Sequence, residues 1–416
     1  MNAPVQAAPP KNAEVISLGC RLNIAESERI RALLANDHDT VVINSCAVTS
    51  EAVRQTRQAI RRARRERPRA RLLVTGCAAE VERRQFAAMP EVDGLVPNAA
   101  KLDARAWNVP AAPIAVSAQH TRAFVAVQNG CDHACTFCVI PQGRGPSRSL
   151  SIPQVLREVE MHLVHGAAEV VLTGVDVTSW GHDLPGKPHL GALVAAVLGA
   201  FSELVRLRMS SLDGVEVDAE LFELFASEAR IMPHLHLSLQ HGHDLILKRM
   251  KRRHSRADAL ALVERLRARR PDIAVGADLI AGFPTENEEQ HAANVSLVRE
   301  VGVVHGHVFP YSPRPGTPAA AMDGQIPREV MDERLQRLQA ALNRDQLAFN
   351  AASVGKRCEV LVERRGKHPG QWLGKSPWLQ SVHFEGDAAI GDLVEVELTE
   401  AGPNSLHARV LAPALA

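Results

Sequence analysis

Three cysteines, Cys131, Cys135 and Cys138, stand within eight positions in the stretch GCDHACTFC (130–138), spaced C-x3-C-x2-C with no fourth nearby. Structural zinc is held by four closed ligands, commonly delivered as paired C-x2-4-C units. A disulfide framework uses an even number. Three thiolates can instead hold three irons of a cubane [4Fe–4S] cluster and leave the fourth iron open to an outside ligand. An electron-transfer cluster has no use for that vacancy; a cluster that must bind something does. Spacing alone still allows a zinc site with a distant fourth ligand, or unconnected buried thiols. Three further cysteines, Cys20, Cys46 and Cys77, are scattered singly, yet each ends an apolar run: EVISLG, TVVINS and RLLVTG. One such cysteine reads as a packed core thiol; three at equivalent positions read as a second three-cysteine site. Cys358, the seventh, reads as an inert packed thiol.

The elements that must position these residues are legible from periodicity. The runs at 14–19, 40–45 and 71–76 have the length and apolar content of buried strands. IAESERIRALLA and EAVRQTRQAIRRARRE are helical stretches between them. Strand–helix–strand at this spacing predicts a parallel sheet with right-handed crossovers, so Cys20, Cys46 and Cys77 reach one sheet edge. Residues 122–128, 168–175, 205–212, 234–240, 273–282 and 303–312 are six more candidate strands separated by helical patterns, which predicts a partial (β/α)6 barrel. Chemistry collects at the C-terminal strand ends of such folds, and the triplet follows the first strand directly. A long helix over roughly 327–350 leads to five short strands between Gly, Pro, Asp and Asn turns, the pattern of a small β-barrel of the oligonucleotide-binding sort. The fold class is therefore α/β with a C-terminal β-barrel, in segments 13–108, 118–350 and 352–413 after a disordered Ala/Pro-rich leader.

At 416 residues, the chain is too long for one ordinary core. Formal net charge is only +1, so no global excess draws it to polyanions. Local charge is less even: nine arginines fall between Arg54 and Arg71, opposed only by Glu66. That helix reads either as a solvated face or as a polyanion contact. No stretch approaches the length of a membrane span and the N-terminus lacks a secretory pattern, which places the protein in the cytoplasm. Thiols stay reduced there, so seven cysteines point to metal or catalysis rather than disulfides.

The words around the cysteines carry more. GCDHACTFCVIPQGRGPSRS after a first barrel strand resembles the radical S-adenosylmethionine enzymes. SLGCRLNIAES, VVINSCAVTSEAVRQTRQAIRR, LLVTGCAAE, HLHLSLQ, DLIAGFPTE and HVFPYSPRPGTPAA extend the resemblance, from residue 13 to 412, to the methylthiotransferases. The last segment is similar to the TRAM RNA-binding domain. Within that family the chain looks most like the branch acting on tRNA adenosine 37 already carrying N6-threonylcarbamoyl. Other branches act on isopentenyladenosine or on an aspartate of a ribosomal protein. The resemblance implies two [4Fe–4S] clusters and two molecules of S-adenosylmethionine per turnover. One cluster, on Cys131, Cys135 and Cys138, yields the radical; the other, on Cys20, Cys46 and Cys77, carries the sulfur that becomes methylthio. Carbon 2 of adenine is an unactivated C–H position that no side-chain base can deprotonate, which is why radical chemistry is needed. Implied partners are tRNA, a flavodoxin- or ferredoxin-like electron donor and a sulfur donor, with no membrane.

Other residues enter by position. Phe137 matches the aromatic residue that the superfamily sets beside the adenine. Gly174, Val175 and Asp176 end the second strand, where the superfamily binds the methionine amino group, although a simple turn reads as well. Ser210, Ser211 and Gln240 end the third and fourth strands and are candidates for ribose or carboxylate. Asp278 reads as structural, and Arg144 and Arg148 as facing an anionic ligand or RNA. His234, His236, His241 and His243 form an H-x-H run open to a zinc reading. The barrel departs from the family's Thr-x-Asn-Tyr pattern at Lys375, Ser376, Pro377 and Trp378, leaving Trp372 and Trp378 as base-stacking candidates.

Overall fold

The computed structural model describes residues 12–110 and 121–411; the Ala/Pro-rich leader lies outside them. The described residues form two compact units. The first comprises 12–110 together with Gly130–Asp132 and Cys138–Pro146, the second 121–129, His133–Phe137 and 147–411.

The first unit is built on β1 (Glu14–Ser17), β2 (Thr40–Ser45), β3 (Arg71–Gly76) and the short β4 (Gly94–Leu95), all parallel and in that order. Helices α1 (Arg21–Leu33) and α2 (Ser50–Glu66) are the crossovers, followed by α3 (Cys77–Val81) and α4 (Arg83–Ala87). Alternate strand residues serve opposite faces. Val41, Ile43, Leu72 and Val74 pack with Val53 and Ile60 of α2, while Val15, Val42 and Leu73 pack with Ile30 of α1 and with Trp107. The later segment of this unit supplies α5 (Ile140–Arg144), which Val139 anchors in the first of these cores.

In the second unit six parallel strands form an incomplete barrel, as the sequence predicts. β5 (Arg122–Ala126) pairs with β8 (Glu169–Thr173) and that with β9 (Leu207–Met209); β10 (His234–Gln240), β11 (Ala274–Ala281) and β12 (Val303–Pro310) form the other half. Parallel bridges Leu207↔Ile231 and Leu212↔Leu237 join the halves. A two-residue pair unread in the sequence, β6 (Gln128–Asn129) with β7 (Arg148–Ser149), flanks the cysteine loop. The covering helices are α6 (Ile152–Val164), α7 (Leu190–Ala200), α8 (Ala219–Ser227), α9 (Asp244–Arg249), α10 (Arg256–Arg269), α11 (Glu288–Val301) and α12 (Arg328–Ala351). Leu235, Leu237 and Leu239 of β10, with Val275, Ala277 and Leu279 of β11, pack beneath them. By the period of two, His234, His236, Ser238, Gln240 and Asp278 lie on the opposite face of these strands.

β13 (Arg357–Arg365), β14 (Gln371–Lys375), β15 (Ser381–Glu385), β16 (Leu393–Ala401) and β17 (Leu406–Val410) close into a barrel in the order β13-β14-β15-β17-β16. Buried arginines tie it to the six-stranded core. Arg206 donates to the Glu359 carbonyl at 2.8 Å, and Arg208 to that of Ser376 at 3.1 Å while paired with Glu169 at 2.8 Å. Both tryptophans expected to stack bases are spent on packing. Trp372 is 3% exposed in the barrel core with the Arg365 guanidinium 4.0 Å over its ring. Trp378 is buried against Ala274 and Val304.

Candidate functional site

Each cysteine of the scattered set sits where a strand gives way to a helix or loop. Cys20 is the N-cap of α1, Cys46 follows β2, and Cys77 opens α3. Two glycines make the approach close. Gly19 has φ +99°, and a Cβ there would lie 2.7 Å from Cys46 Cβ and 2.9 Å from its Sγ. Gly76 has φ +92°, and a Cβ would collide with the Ser45 backbone at 2.4 Å. The left-handed region is open to glycine at little cost. The three thiols share one electrostatic environment. Burial pushes the Cys46 thiol up to about 11, and the neighbouring Cys20 and Cys77 add to that rise.

A buried polar network backs this edge. Arg144, at the end of α5, places Nε 3.1 Å from Cys77 Sγ. It also donates to Glu26 (Nη1–Oε1 2.8 Å) and to Asn23 Oδ1 (2.5 Å). Lys101 Nζ reaches the other Glu26 oxygen at 2.5 Å and Asn44 Oδ1 at 3.3 Å. All three ionic side chains are 1% exposed. Burial opposes a charge on Arg144, but Cys77, Glu26 and Cys20 outweigh it and hold the guanidinium protonated. Burial likewise opposes ionisation of Glu26, and Lys101 and Arg144 reverse that. Burial pulls the Lys101 ammonium below its ordinary range against the pull of Glu26, so Arg144 is the fixed cation facing the thiols. Thiolate ligands of a cluster suit that environment, since a nearby cation favours the deprotonated sulfur. Nothing in this network was singled out from the sequence except Arg144. The available signal was Asn23, Glu26 and Ser27 at helical spacing on the face of α1 that also buries Ile30.

Of the spaced triplet, Cys131 and Cys138 fall in the first unit and Cys135 in the second. The Ile140 amide donates toward Cys138 Sγ at 3.4 Å, and the Cys131 amide is tied to the Gly145 carbonyl at 3.1 Å. Cys135 has its own guanidinium: Arg252 Nη1 lies 3.7 Å from its Sγ, with Nη2 fixed by Asp213 at 2.9 Å and the Ser238 carbonyl at 2.9 Å. Phe137 packs beside Phe283, Tyr311 and Met250.

The remaining candidates divide. The Gly174–Asp176 turn is held by Gln128, whose Oε1 accepts from the amides of Val175 (3.1 Å) and Asp176 (2.9 Å). The Asp176 carboxylate pairs with His133 at 2.7 Å. Ser210 Oγ is buried with no protein partner, and Gln240 is forced to φ +65° at a register shift. A buried orphan and a strained residue at adjacent strand ends are features that a bound ligand accounts for. The histidine run does not converge. His241 pairs with Glu286 at 3.1 Å, and His243 caps α9. His236 instead meets Asp278 at 3.2 Å, and Asp278 meets His307 at 3.0 Å. Asp278, expected to be structural, thus joins two histidines. Burial would raise its carboxyl, yet the two rings hold it well below the usual carboxylate range.

Comparison with known proteins matches three stretches of the chain. Residues 12–97 match the Uncharacterized protein family UPF0004, 125–298 the Radical SAM superfamily, and 351–411 the TRAM domain. A tRNA-2-methylthio-N(6)-dimethylallyladenosine synthase of Novosphingobium aromaticivorans is 43% identical, covering 97% of this chain and 98% of its own. The Threonylcarbamoyladenosine tRNA methylthiotransferase MtaB of Rickettsia prowazekii is 44% identical, covering 92% and 94%. The chain belongs to the radical S-adenosylmethionine tRNA methylthiotransferases. The methylthiotransferase family uses S-adenosylmethionine and [4Fe–4S] clusters, in keeping with the thiol sites above. A solved structure of the radical S-adenosylmethionine methyltransferase TsrM from Kitasatospora setae shares the fold. Its TM-score is 0.51 at 16% identity, covering 70% of this methylthiotransferase chain and 68% of that one. Among the described residues no helix is long and apolar enough to cross a membrane.

Proposed function

We propose that this enzyme adds a methylthio group to carbon 2 of N6-threonylcarbamoyladenosine at position 37 of tRNA. Cys131, Cys135 and Cys138 hold the cluster that binds S-adenosylmethionine, and Cys20, Cys46 and Cys77 hold the second. Clusters bound there supply the electron that generates a carbon-centred radical and the sulfur that is transferred. The chain's own residues then bind and orient. Phe137, Gly174, Asp176, Ser210 and Gln240 border the cofactor, and Arg144 and Arg252 stand beside thiols of the two sets. A small flavodoxin- or ferredoxin-like protein delivers electrons, a separate donor replenishes sulfur, and the reaction takes place in the cytoplasm.

The observation that carries the substrate choice is the strand face opposite the helices. His236, Asp278 and His307 form a hydrogen-bonded row there, and Ser211 joins Ser238 at 2.7 Å and Asp278 at 3.3 Å. A threonylcarbamoyl group brings an amide, a hydroxyl and a carboxylate, all able to use such a face; a dimethylallyl tail brings none. The dimethylallyl reading is the second one, and the name of the Novosphingobium relative favours it. For tRNA, the tip between β13 and β14 offers exposed Arg364, Arg365, Lys367 and His368, a charged grip rather than a stacking one.

The test is mass spectrometry of tRNA nucleosides from a strain lacking this protein. Loss of the 2-methylthio form of threonylcarbamoyladenosine alone is expected. Loss of the 2-methylthio dimethylallyl nucleoside instead would transfer the chain to the other branch.

A further inference from the structure

Three cationic or anionic side chains that carry none of the expected ligands are buried behind Cys20, Cys46 and Cys77. Folding removes Arg144, Glu26 and Lys101 almost wholly from water, which is unfavourable unless partners compensate the desolvation. Glu26 pairs with both Lys101 and Arg144, and the Arg144 Nε points at Cys77 Sγ at 3.1 Å. The placement is built: Gly143 lets α5 approach until a Cβ would be 3.2 Å from Cys77 Cβ, and Asn98 Nδ2 clamps the Gly143 carbonyl at 2.5 Å. On the other side, the Trp107 indole fixes the Lys101 carbonyl at 2.8 Å, and Asn44 donates to Ser27 Oγ at 3.0 Å.

We infer that Arg144, set by Glu26 and Lys101, is the charge-compensating residue of the N-terminal iron–sulfur site and raises its reduction potential. The inference rests on the reading that Cys20, Cys46 and Cys77 hold a cluster. Three thiolates on a [4Fe–4S] core give an anion whose charge grows by one on reduction. Cys20 is exposed, but Cys46, Cys77 and Arg144 are buried, and on that buried side a fixed cation a few ångströms away stabilises the more anionic state. Partners behind the ligands tune metal sites in this way. Arg144 touches a ligand and not the substrate, so its role is positioning and electrostatic.

The sign of the effect separates this role from a merely structural one. Arg144→Gln removes positive charge and leaves Glu26 paired with Lys101; Glu26→Gln removes negative charge from the same place. Both substitutions are made in the full chain carrying Cys131→Ala, Cys135→Ala and Cys138→Ala, so that only the N-terminal site takes up iron. Potentials are read by redox titration followed by electron paramagnetic resonance. R144Q should lower the midpoint potential and E26Q should raise it, with iron near four per chain in both. Arg144→Lys should restore most of the parent value. Shifts in the same direction, or no shift with iron retained, would overturn the proposal. Should R144Q fail to take up iron, Glu26→Gln made on Lys101→Met still decides: with no lysine to release a proton in place of the lost carboxylate, the potential must rise relative to Lys101→Met alone, and an unchanged or lowered one refutes the proposal. Absence of iron from the parent triple variant would strike instead at the underlying cluster assignment.

Discussion

At the scale of single residues, the N-terminal site depends on what is missing as much as on its thiols. Gly19 sits beside Cys46 with φ +99°, where a side chain is both strained and in the way. Gly19→Ala should therefore displace Cys46 and halve iron loading, from about eight to about four per chain, while helical content by circular dichroism stays unchanged. Full loading in that variant would mean that the cysteines need no such close approach. The thiols themselves were legible in the sequence, because each follows a strand and strands of one parallel sheet end together. Glu26 and Lys101 were not. Isolated charged residues are read as solvated by default, and Lys101 lies 75 positions from its partner. Only tertiary packing reveals that both are buried.

At the scale of elements, the strands and most helices followed from apolar periodicity, and the register of β2 with β3, Thr40↔Arg71 through Ser45↔Gly76, puts Cys46 and Cys77 level. What the sequence could not settle was how exposed groups are spent. The arginine-rich α2 is largely paired within the protein: Arg54 with Glu51, Arg57 with Glu82, Arg62 with Glu66 and Arg64 with Asp93. Such surface pairs are weak and exchangeable, so they neither require nor prevent a phosphate contact. The hairpin tip of the small barrel is the firmer candidate. Changing Arg364 and Lys367 to Glu should weaken tRNA binding and lower the slope of log affinity against log salt by about one to two. Iron content should not move, because no cluster cysteine lies there. An unchanged slope would shift the RNA grip elsewhere. Arg365 is left out because its stacking on Trp372 at 4.0 Å supports the barrel core.

At the scale of the whole molecule, the attachment of the small barrel carries a pH dependence. His305 Nε2 meets the Trp378 carbonyl at 2.8 Å, and burial holds the imidazole down to about 4, against an ordinary 6.5. In the window between those values the unfolded chain binds a proton that the folded one refuses. Stability is therefore full above about 6.5 and falls as pH drops toward 4. Allowing for the partial exposure of the ring, the loss is roughly 1–2 kcal/mol. Urea midpoints by tryptophan fluorescence should fall between pH 7 and pH 5, and His305→Phe should flatten that slope. A parallel slope in the variant would assign the acid sensitivity to other groups, among them buried His241, which burial also holds below its ordinary value.

The last expectation concerns division of labour. Cys20, Cys46 and Cys77 all end elements of the first unit's own sheet, whereas the six-stranded barrel with Ser210, Gln240 and Asp278 belongs to the second. On the proposed function, cleavage of S-adenosylmethionine draws on the loop cysteines and on that barrel, and on none of the three N-terminal thiols. Replacing those three by Ala should leave release of 5′-deoxyadenosine measurable, though slower, while the 2-methylthio nucleoside disappears. The measurement is anaerobic turnover with threonylcarbamoyl-modified tRNA, following both products in one reaction. Arg144 is the residue to watch in that variant, because its buried charge loses the Cys77 thiol it faces while keeping Glu26 and Asn23. A melting profile therefore accompanies the assay, so that lost transfer is not confused with lost fold. Methylthio nucleoside at normal yield in a folded triple variant would show that the N-terminal thiols are structural and that the sulfur is delivered without them.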